Sequence, residues 1–187
     1  MQQLCGFLLA VMAAAGPDAD SNLVGNLTVE QVIESYQPTV KPPAGELRRL
    51  VVVIDPAGGG SPDSSRRRCD DLAMQTAGHL YHLVRRAGGA AVMTRADDRA
   101  APAGSAGSIE GLKALCAQKK AALVVTIRFD CFSREHTSGV FAPAADAPSE
   151  SLAQALAKAL SIPVEMRLGE PVPSPGVPWA EVSYADP

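Results

Sequence analysis

The chain lacks an excess of basic residues, and this bounds its partners. Its 17 Lys and Arg are outnumbered by 20 Asp and Glu, which gives a formal net charge of -3. A protein with this balance presents no positive field to nucleic acid, and the triplet of Arg66, Arg67 and Arg68 is too short to create one. We therefore predict no nucleic-acid partner and interpret the triplet as a solvated loop.

Paired cysteine motifs are also lacking. The four cysteines, Cys5, Cys69, Cys116 and Cys131, include no Cys-x-x-Cys pair, so neither a zinc knuckle nor a thioredoxin motif is available. If Cys5 is removed with a leader, three cysteines remain. The alternatives are then one disulfide with a free thiol, or three buried thiols.

No apolar run is long enough to cross a bilayer as a helix. The longest N-terminal run, of about a dozen residues from Leu4 to Ala15, matches a signal-peptide core and precedes Gly16 and Pro17. Because only the amino terminus supplies positive charge ahead of it, a buried N-terminal helix is the alternative. We predict a signal peptide at residues 1–16, export to the periplasm or cell envelope, and no transmembrane anchor after cleavage.

The remaining chain is predicted to hold one domain behind a short entry segment. Residues 17–46 are expected to form a small helix and a proline-rich linker, and residues 47–187 the domain. Apolar periodicity predicts strands near 51–54, 90–94, 122–129, 138–141, 163–168 and 177–184, and helices near 70–87, 108–119 and 150–160. This alternation predicts an α/β fold, with a mostly parallel sheet flanked by helices.

The first strand points to the functional site. Val51, Val52, Val53 and Ile54 form an unbroken β-branched run, typical of a strand buried on both faces. Polar residues and three glycines follow it at once. Because ligands of α/β sheets bind beyond the carboxyl ends of strands, we expect the site around residues 55–69. The glycines do not form a phosphate loop, since no Lys follows them and no glycine completes a Gly-x-Gly-x-x-Gly pattern.

The stretch Ile54-Asp55-Pro56-Ala57-Gly58-Gly59-Gly60 resembles the Ile-Asp-Pro-Gly-His-Gly-Gly motif of the zinc-dependent N-acetylmuramoyl-L-alanine amidases (amidase type 3). This family cuts peptidoglycan between the sugar and the stem peptide. Five later stretches resemble its further motifs in the same order: Cys69-Asp70-Asp71-Leu72, Val92-Met93-Thr94-Arg95, Thr126-Ile127-Arg128-Phe129-Asp130, Ser138-Gly139-Val140, and Val177 through Tyr184. The resemblance implies an amidase/phosphorylase-like three-layer sandwich and a peptidoglycan or muropeptide ligand.

The departures from the family fall on its zinc ligands. The positions of its His, Glu and second His are occupied here by Gly58, Cys69 and Arg128. Gly58 has no side chain to donate, and Arg128 has no lone pair and a permanent positive charge. We therefore expect no metal and no cofactor, although the family uses zinc. The alternative is that Cys69, Cys131 and Glu181 together bind zinc, and the positive charge of Arg128 counts against it.

Glu181 occupies the family's catalytic general acid/base position. Without a Lewis acid nothing stabilises the tetrahedral intermediate, so we interpret Glu181 as a remnant and expect the amidase activity to be lost. Arg128 either pairs with Glu181 or binds a ligand carboxylate in a bidentate pair. Asp55 and Asp130 are predicted to belong to the same ligand site.

The resulting hypothesis is an exported, non-catalytic amidase-like domain that binds peptidoglycan or a partner in the cell envelope. Its alternatives are an active peptidoglycan amide hydrolase with an altered metal site, and a scaffold that has lost its ligand. A disulfide between Cys69 and Cys131 is expected because both flank the former metal pocket. The identity of a protein partner and the oligomeric state stay open.

Overall fold

The structure is a computed structural model that describes residues 47–58, 64–95, 108–130, 138–167 and 176–185, with the backbone alone at 64–68, 130, 159 and 185. The predicted signal peptide, the predicted segment at 17–46, and Cys131 lie outside the described residues. What the sequence predicts for them stays a prediction.

Six strands and three helices lie within these ranges. The strands are β1 (Val51–Pro56), β2 (Ala90–Met93), β3 (Leu123–Asp130), β4 (Gly139–Pro143), β5 (Val164–Arg167) and β6 (Trp179–Ala185). The helices are α1 (Ser64–Arg86), α2 (Ile109–Lys119) and α3 (Ala147–Leu160). None of these helices combines the length and the apolar character needed to cross a membrane.

The strands form one sheet in the order β2-β1-β3-β6-β4-β5. All neighbours pair in parallel except β4 and β6, which are antiparallel. The predicted α/β class with a mostly parallel sheet is therefore confirmed. As a consequence, the carboxyl ends of β1, β3 and β6 meet at one edge of the sheet, and β4 separates β6 from β5.

Apolar side chains alternate along the central strands, so both faces of the sheet are covered. On one face, Val52 and Ile54 belong to a large core that includes buried residues of α1 and α3. On the other face, Val53 packs in a smaller cluster with Leu112 and Cys116 of α2. The sheet thus lies between two helical layers, as predicted for a three-layer sandwich.

Two helices begin earlier than the sequence predicted. Helix α1 begins at Ser64 rather than near residue 70, so the arginine triplet lies in a helix and the prediction of a solvated loop was wrong. Arginine has a high helix propensity, which favours this extension. Helix α3 begins at Ala147 rather than near residue 150.

The start of α3 is fixed by its cap and also positions β6. The carboxylate of Asp146 accepts the backbone N–H of Ser149 at 3.2 Å, and Pro148 lies in the first turn, where its missing N–H costs nothing. The fully buried Ser149 hydroxyl donates to Asp146 and accepts the backbone N–H of Trp179 at 2.8 Å. This contact joins α3 to the strand that carries Glu181.

Candidate functional site

Polar side chains form a row across the sheet near the carboxyl ends of the parallel strands. Asp55 on β1 is in register with Thr126 on β3, which is in register with Glu181 on β6. Phe141 on β4 and then Glu165 on β5 continue the row. Residues in register point to the same face of a sheet. Asp55 and Glu181, two acidic residues on the second and fourth strands in sheet order, therefore share one face.

Asp55 is held by hydroxyl groups from both neighbouring strand ends. Thr94 donates to its Oδ1 at 2.5 Å and Thr126 donates to its Oδ2 at 3.3 Å. Trp179 in turn donates its indole N–H to the Thr126 hydroxyl at 2.9 Å. Desolvation raises the pKa of Asp55, opposed by these two hydrogen bonds and by the charges of Arg95 and Arg128. Asp55 thus joins β1, β2 and β3, and its contact with a ligand stays a prediction.

Glu181 is buried and faces Arg128. Its side chain is 6% exposed, whereas that of Arg128 is 55% exposed. The Arg128 Nε lies 3.2 Å from Oε1 of Glu181, and Nη2 donates to Oε2 at 3.4 Å. One edge of the guanidinium therefore binds both carboxylate oxygens. This is the contact expected if a charge pair fills the place of a metal.

A second arginine, Arg167 of β5, approaches the same carboxylate from the other side. Its Nη1 lies 3.9 Å from Oε1 of Glu181, and its guanidinium carbon lies 3.8 Å from the centre of the Phe141 ring. The sequence placed Arg167 in a strand but did not identify it as a site residue. Its proximity to Glu181 depends on the position of β4 between β6 and β5, which no local pattern encodes.

Gly58, which the resemblance aligns with the first zinc-binding histidine of the amidases, follows the end of β1. The backbone N–H of Ala57 donates to the carbonyl of Ile127 at 2.8 Å, which brings Gly58 beside the end of β3. Gly58 has a φ of +89°, and a Cβ built on it would overlap the Asp70 carboxylate. The buried Oδ2 of Asp70 has no hydrogen-bond partner among the described residues. The space for a side chain at position 58 is therefore filled.

Cys69, at the position of the family's glutamate ligand, is buried and disulfide-bonded. Cys116 is a buried free thiol and is not its partner. The alternative of three buried thiols was therefore wrong. A disulfide sulfur is not a thiolate, so Cys69 does not ligate zinc. The alternative zinc site of Cys69, Cys131 and Glu181 therefore lacks one of its three ligands. The pairing of Cys69 with Cys131 stays a prediction.

The residues at this site do not fit a zinc ion. Zinc takes nitrogen, sulfur and oxygen ligands in tetrahedral geometry, whereas the three family positions hold a glycine, a disulfide sulfur and a guanidinium. Within the ranges that the structure describes, no group of three or more His, Cys, Asp or Glu side chains could hold a metal ion. Asp130 ends β3, but its side chain is outside the described part.

Comparison with known proteins gives likenesses among solved structures but none by sequence. No family model matches the sequence, and no curated protein matches it. Among solved structures, the chain is similar to the CwlD amidase from Clostridioides difficile, solved in complex with the GerS lipoprotein. The two share 16% identity over 72% of this chain and 81% of that chain, with a TM-score of 0.48. At this identity and TM-score, the likeness supports no conclusion about activity.

The raised pKa of Asp55 predicts a pH-dependent effect of Asp55→Asn. A carboxyl whose folded-state pKa is raised contributes stability below its ordinary pKa of 3.8, and this contribution is lost as the pH rises through the folded-state value. Asparagine does not titrate. We therefore expect the free energy of unfolding of Asp55→Asn, relative to the unmodified chain, to increase from pH 4 to pH 7 in urea titrations.

Thr126→Val is the companion variant, because it removes a hydrogen bond that lowers the Asp55 pKa. It should steepen the loss of stability over the same pH range. The pKa of His79, lowered to about 4 by burial, affects all three proteins alike and cancels in the differences. A pH-independent difference between Asp55→Asn and the unmodified chain would contradict this description of Asp55.

The filled space at Gly58 predicts that Gly58→Ala is more destabilising than Gly176→Ala. Both glycines have positive φ, +89° and +77°, but a Cβ at Gly176 meets nothing within 4 Å. The backbone cost of about 1–2 kcal/mol is therefore common to both. Displacing the Asp70 carboxylate should add about 1–3 kcal/mol at position 58 alone. Equal free energies of unfolding in urea titrations would show that the space beside Asp70 is open.

Proposed function

We propose that the protein is an exported, non-catalytic amidase-like domain that binds peptidoglycan fragments through Arg128. The observation that supports this most directly is the ion pair of Arg128 with the buried Glu181. In the family that the sequence resembles, a zinc ligand and the catalytic glutamate occupy these two positions. In this chain the two residues at these positions, Arg128 and Glu181, form an ion pair with each other.

Hydrolysis is disfavoured by the same contact. Both oxygens of Glu181 are engaged by Arg128, and Arg167 also approaches Oε1. Its carboxylate is thus held as an ion-pair partner within the sheet. Amide hydrolysis also needs an electrophile or oxyanion donors to stabilise the tetrahedral intermediate, and the residues at the three zinc positions supply no metal site. No contact among the described residues favours the alternative of an active amidase.

Binding is favoured by the part of Arg128 that faces outward. A guanidinium carries five N–H donors, and the edge formed by Nε and Nη2 is used by Glu181. Among the described residues Arg128 has no further hydrogen-bond or ion-pair partner. The end formed by Nη1 and Nη2 can therefore receive a carboxylate in a second bidentate pair.

The ion pair also restrains the Arg128 side chain before a ligand arrives. Ordering a long side chain costs roughly 0.5–1.5 kcal/mol on binding, and contact with Glu181 reduces that cost. Stem peptides of peptidoglycan present carboxylates of the required kind. Export by the predicted signal peptide at residues 1–16 would bring the protein to this ligand.

The test is titration of soluble muropeptides into the purified full chain by calorimetry. Arg128→Gln should weaken binding by at least about tenfold, and Arg128→Lys nearly as much, because lysine cannot form a bidentate pair. Arg86→Gln is the matched control, since Arg86 is an exposed arginine in the last turn of α1. Thermal unfolding of each variant reports whether the fold is kept.

Absence of muropeptide binding, or binding that Arg128→Gln leaves unchanged, would contradict the proposed role. A parallel assay for new free amino termini in muropeptide digests tests catalysis. Amino termini that are released by the unmodified chain and lost in Glu181→Ala would establish the alternative, an active hydrolase with an altered site.

A further inference from the structure

Six exposed basic residues surround the amino end of strand β1, at the edge of the sheet opposite the carboxyl end of β3 that carries Arg128. They come from three places in the chain: the turn that precedes β1, the last turn of α1, and the end of α2. In chain order they are Arg48, Arg49, Arg85, Arg86, Lys119 and Lys120. We call these six residues the basic edge.

Backbone hydrogen bonds bring the three segments of the basic edge together. The Leu47 N–H donates to the carbonyl of Ala87 at 3.2 Å, which joins the turn before β1 to the end of α1. The Ala122 N–H donates to the carbonyl of Val51 at 2.8 Å, which joins the chain after α2 to the first residue of β1. Because α1 and α2 pack on opposite faces of the sheet, the six residues spread over roughly 20 Å, about two helix diameters.

The positive charges of the basic edge are not neutralised within the described chain. None of the six side chains has a hydrogen bond or an ion pair with another described residue. The described acidic residues at this end of the sheet, Asp146 and Glu150, begin α3 beside β6, two strands away from β1. Glu46, which precedes the first turn in the sequence, offsets one charge at most. The net charge of -3 therefore conceals a local excess of positive charge.

Helix stability explains only part of the basic edge. Basic side chains in the last turn of a helix interact favourably with its macrodipole, which accounts for Arg85, Arg86 and Lys119. It does not account for Arg48 and Arg49, which precede a strand. Arg49 also has a φ of +70°, in the left-handed region that favours glycine. The charge of this turn therefore has no role in stabilising a helix.

We propose that the basic edge docks on an anionic phospholipid bilayer. A bilayer presents many phosphates over a wide plane, which suits charges spread over roughly 20 Å better than one small anion does. Each Lys or Arg near such a surface strengthens attachment by roughly fivefold. The chain before Leu47 joins the domain at this same edge, so the predicted leader at residues 1–16 precedes the docking surface.

Docking at the basic edge also orients the ligand site of the proposed function. The strands β1, β3 and β6 are parallel and begin at the basic edge. Arg128 lies near the opposite end of β3, so a docked domain presents it on the side away from the bilayer. This inference adds a membrane surface to the proposed function and does not depend on muropeptide binding.

The experiment is co-sedimentation of the purified full chain with phospholipid vesicles at low salt. One set of vesicles contains about one third phosphatidylglycerol in phosphatidylcholine, and the other contains phosphatidylcholine alone. We expect at least about tenfold tighter binding to the anionic vesicles, and loss of this difference in about 0.5 M NaCl because salt screens exposed charges. The neutral vesicles measure the contribution of the apolar N-terminal run. Equal binding to both sets would overturn the proposal.

Lys119→Gln and Lys158→Gln form a matched pair, because each removes an exposed lysine from the last turn of a helix. Helix α3 begins at the end of the sheet that carries the basic edge, so Lys158 lies at the other end. Lys119→Gln should weaken binding to anionic vesicles by about three- to fivefold, and Lys158→Gln by less than about 1.5-fold. Equal effects of the two variants would overturn the proposal.

Combining Arg48→Gln, Arg86→Gln and Lys119→Gln removes one or more charges from each of the three segments. This triple variant should abolish the difference between anionic and neutral vesicles. Thermal unfolding reports whether it keeps the fold, and the single lysine variants decide the matter if it does not. A folded triple variant that still prefers anionic vesicles as strongly as the unmodified chain would contradict the assignment of the surface.

Soluble phosphates separate the bilayer from other sources of the same chemistry. Inorganic phosphate at low concentration should leave vesicle binding unchanged, whereas displacement by it would show a discrete anion site and overturn the proposal. Tighter binding to soluble poly(glycerol phosphate) than to the vesicles would likewise exclude the bilayer as the partner.

Arg128→Gln separates this inference from the proposed function. It should leave vesicle binding unchanged, because Arg128 lies at the opposite end of β3. If muropeptides bind in an Arg128-dependent way but anionic vesicles are not preferred, the inference is wrong and the proposed function stands. If anionic vesicles bind in a Lys119-dependent way but muropeptides do not bind, the docking surface stands and the proposed function is wrong.

Discussion

Glu181 is a carboxylate buried at the centre of a sheet, and such a group is tolerated only where positive charge and hydrogen-bond donors face it. Arg128 meets this requirement with one edge of its guanidinium. The arrangement of the site follows from that contact. It places Arg128 at the carboxyl end of β3, leaves the other end of its guanidinium toward solvent, and draws Arg167 toward the same oxygen.

The two carboxylates of the polar row are stabilised in different ways. Asp55 receives hydrogen bonds from neutral hydroxyl groups of Thr94 and Thr126, and desolvation dominates its raised pKa. Glu181 is instead paired with permanent charges. Neither arrangement requires a metal ion. The ends of β1, β2, β3 and β6 are thus held together by hydrogen bonds and ion pairs within the chain.

At position 58, where the resemblance to the amidases would place a zinc ligand, the structure leaves no space for a side chain. The Asp70 carboxylate occupies the space into which a side chain at Gly58 would extend. Cys69, one residue earlier in α1, is committed to a disulfide. A histidine at position 58 would therefore displace the Asp70 carboxylate.

The sequence predicts the strands, and its resemblance to the amidases offered the pairing of Arg128 with Glu181 as one of two alternatives; parallel strands make such a contact possible because their carboxyl ends lie at one edge. It does not predict Arg167, since antiparallel insertion of β4 is decided by tertiary pairing. The early start of α1 was missed because arginine-rich segments are compatible with both loop and helix. Asp70 was missed as the residue that fills position 58, because that contact joins a turn to a helix.

The central proposal is that the chain binds no zinc at the Arg128–Glu181 pair, the place where the resemblance to the zinc amidases would put a metal. Its most direct test is the zinc content of the purified full chain after incubation with excess zinc and gel filtration, measured by mass spectrometry of the metal. We predict less than about 0.1 zinc per chain, because the three positions supply no ligand. One zinc per chain that is lost in Glu181→Gln would contradict the claim.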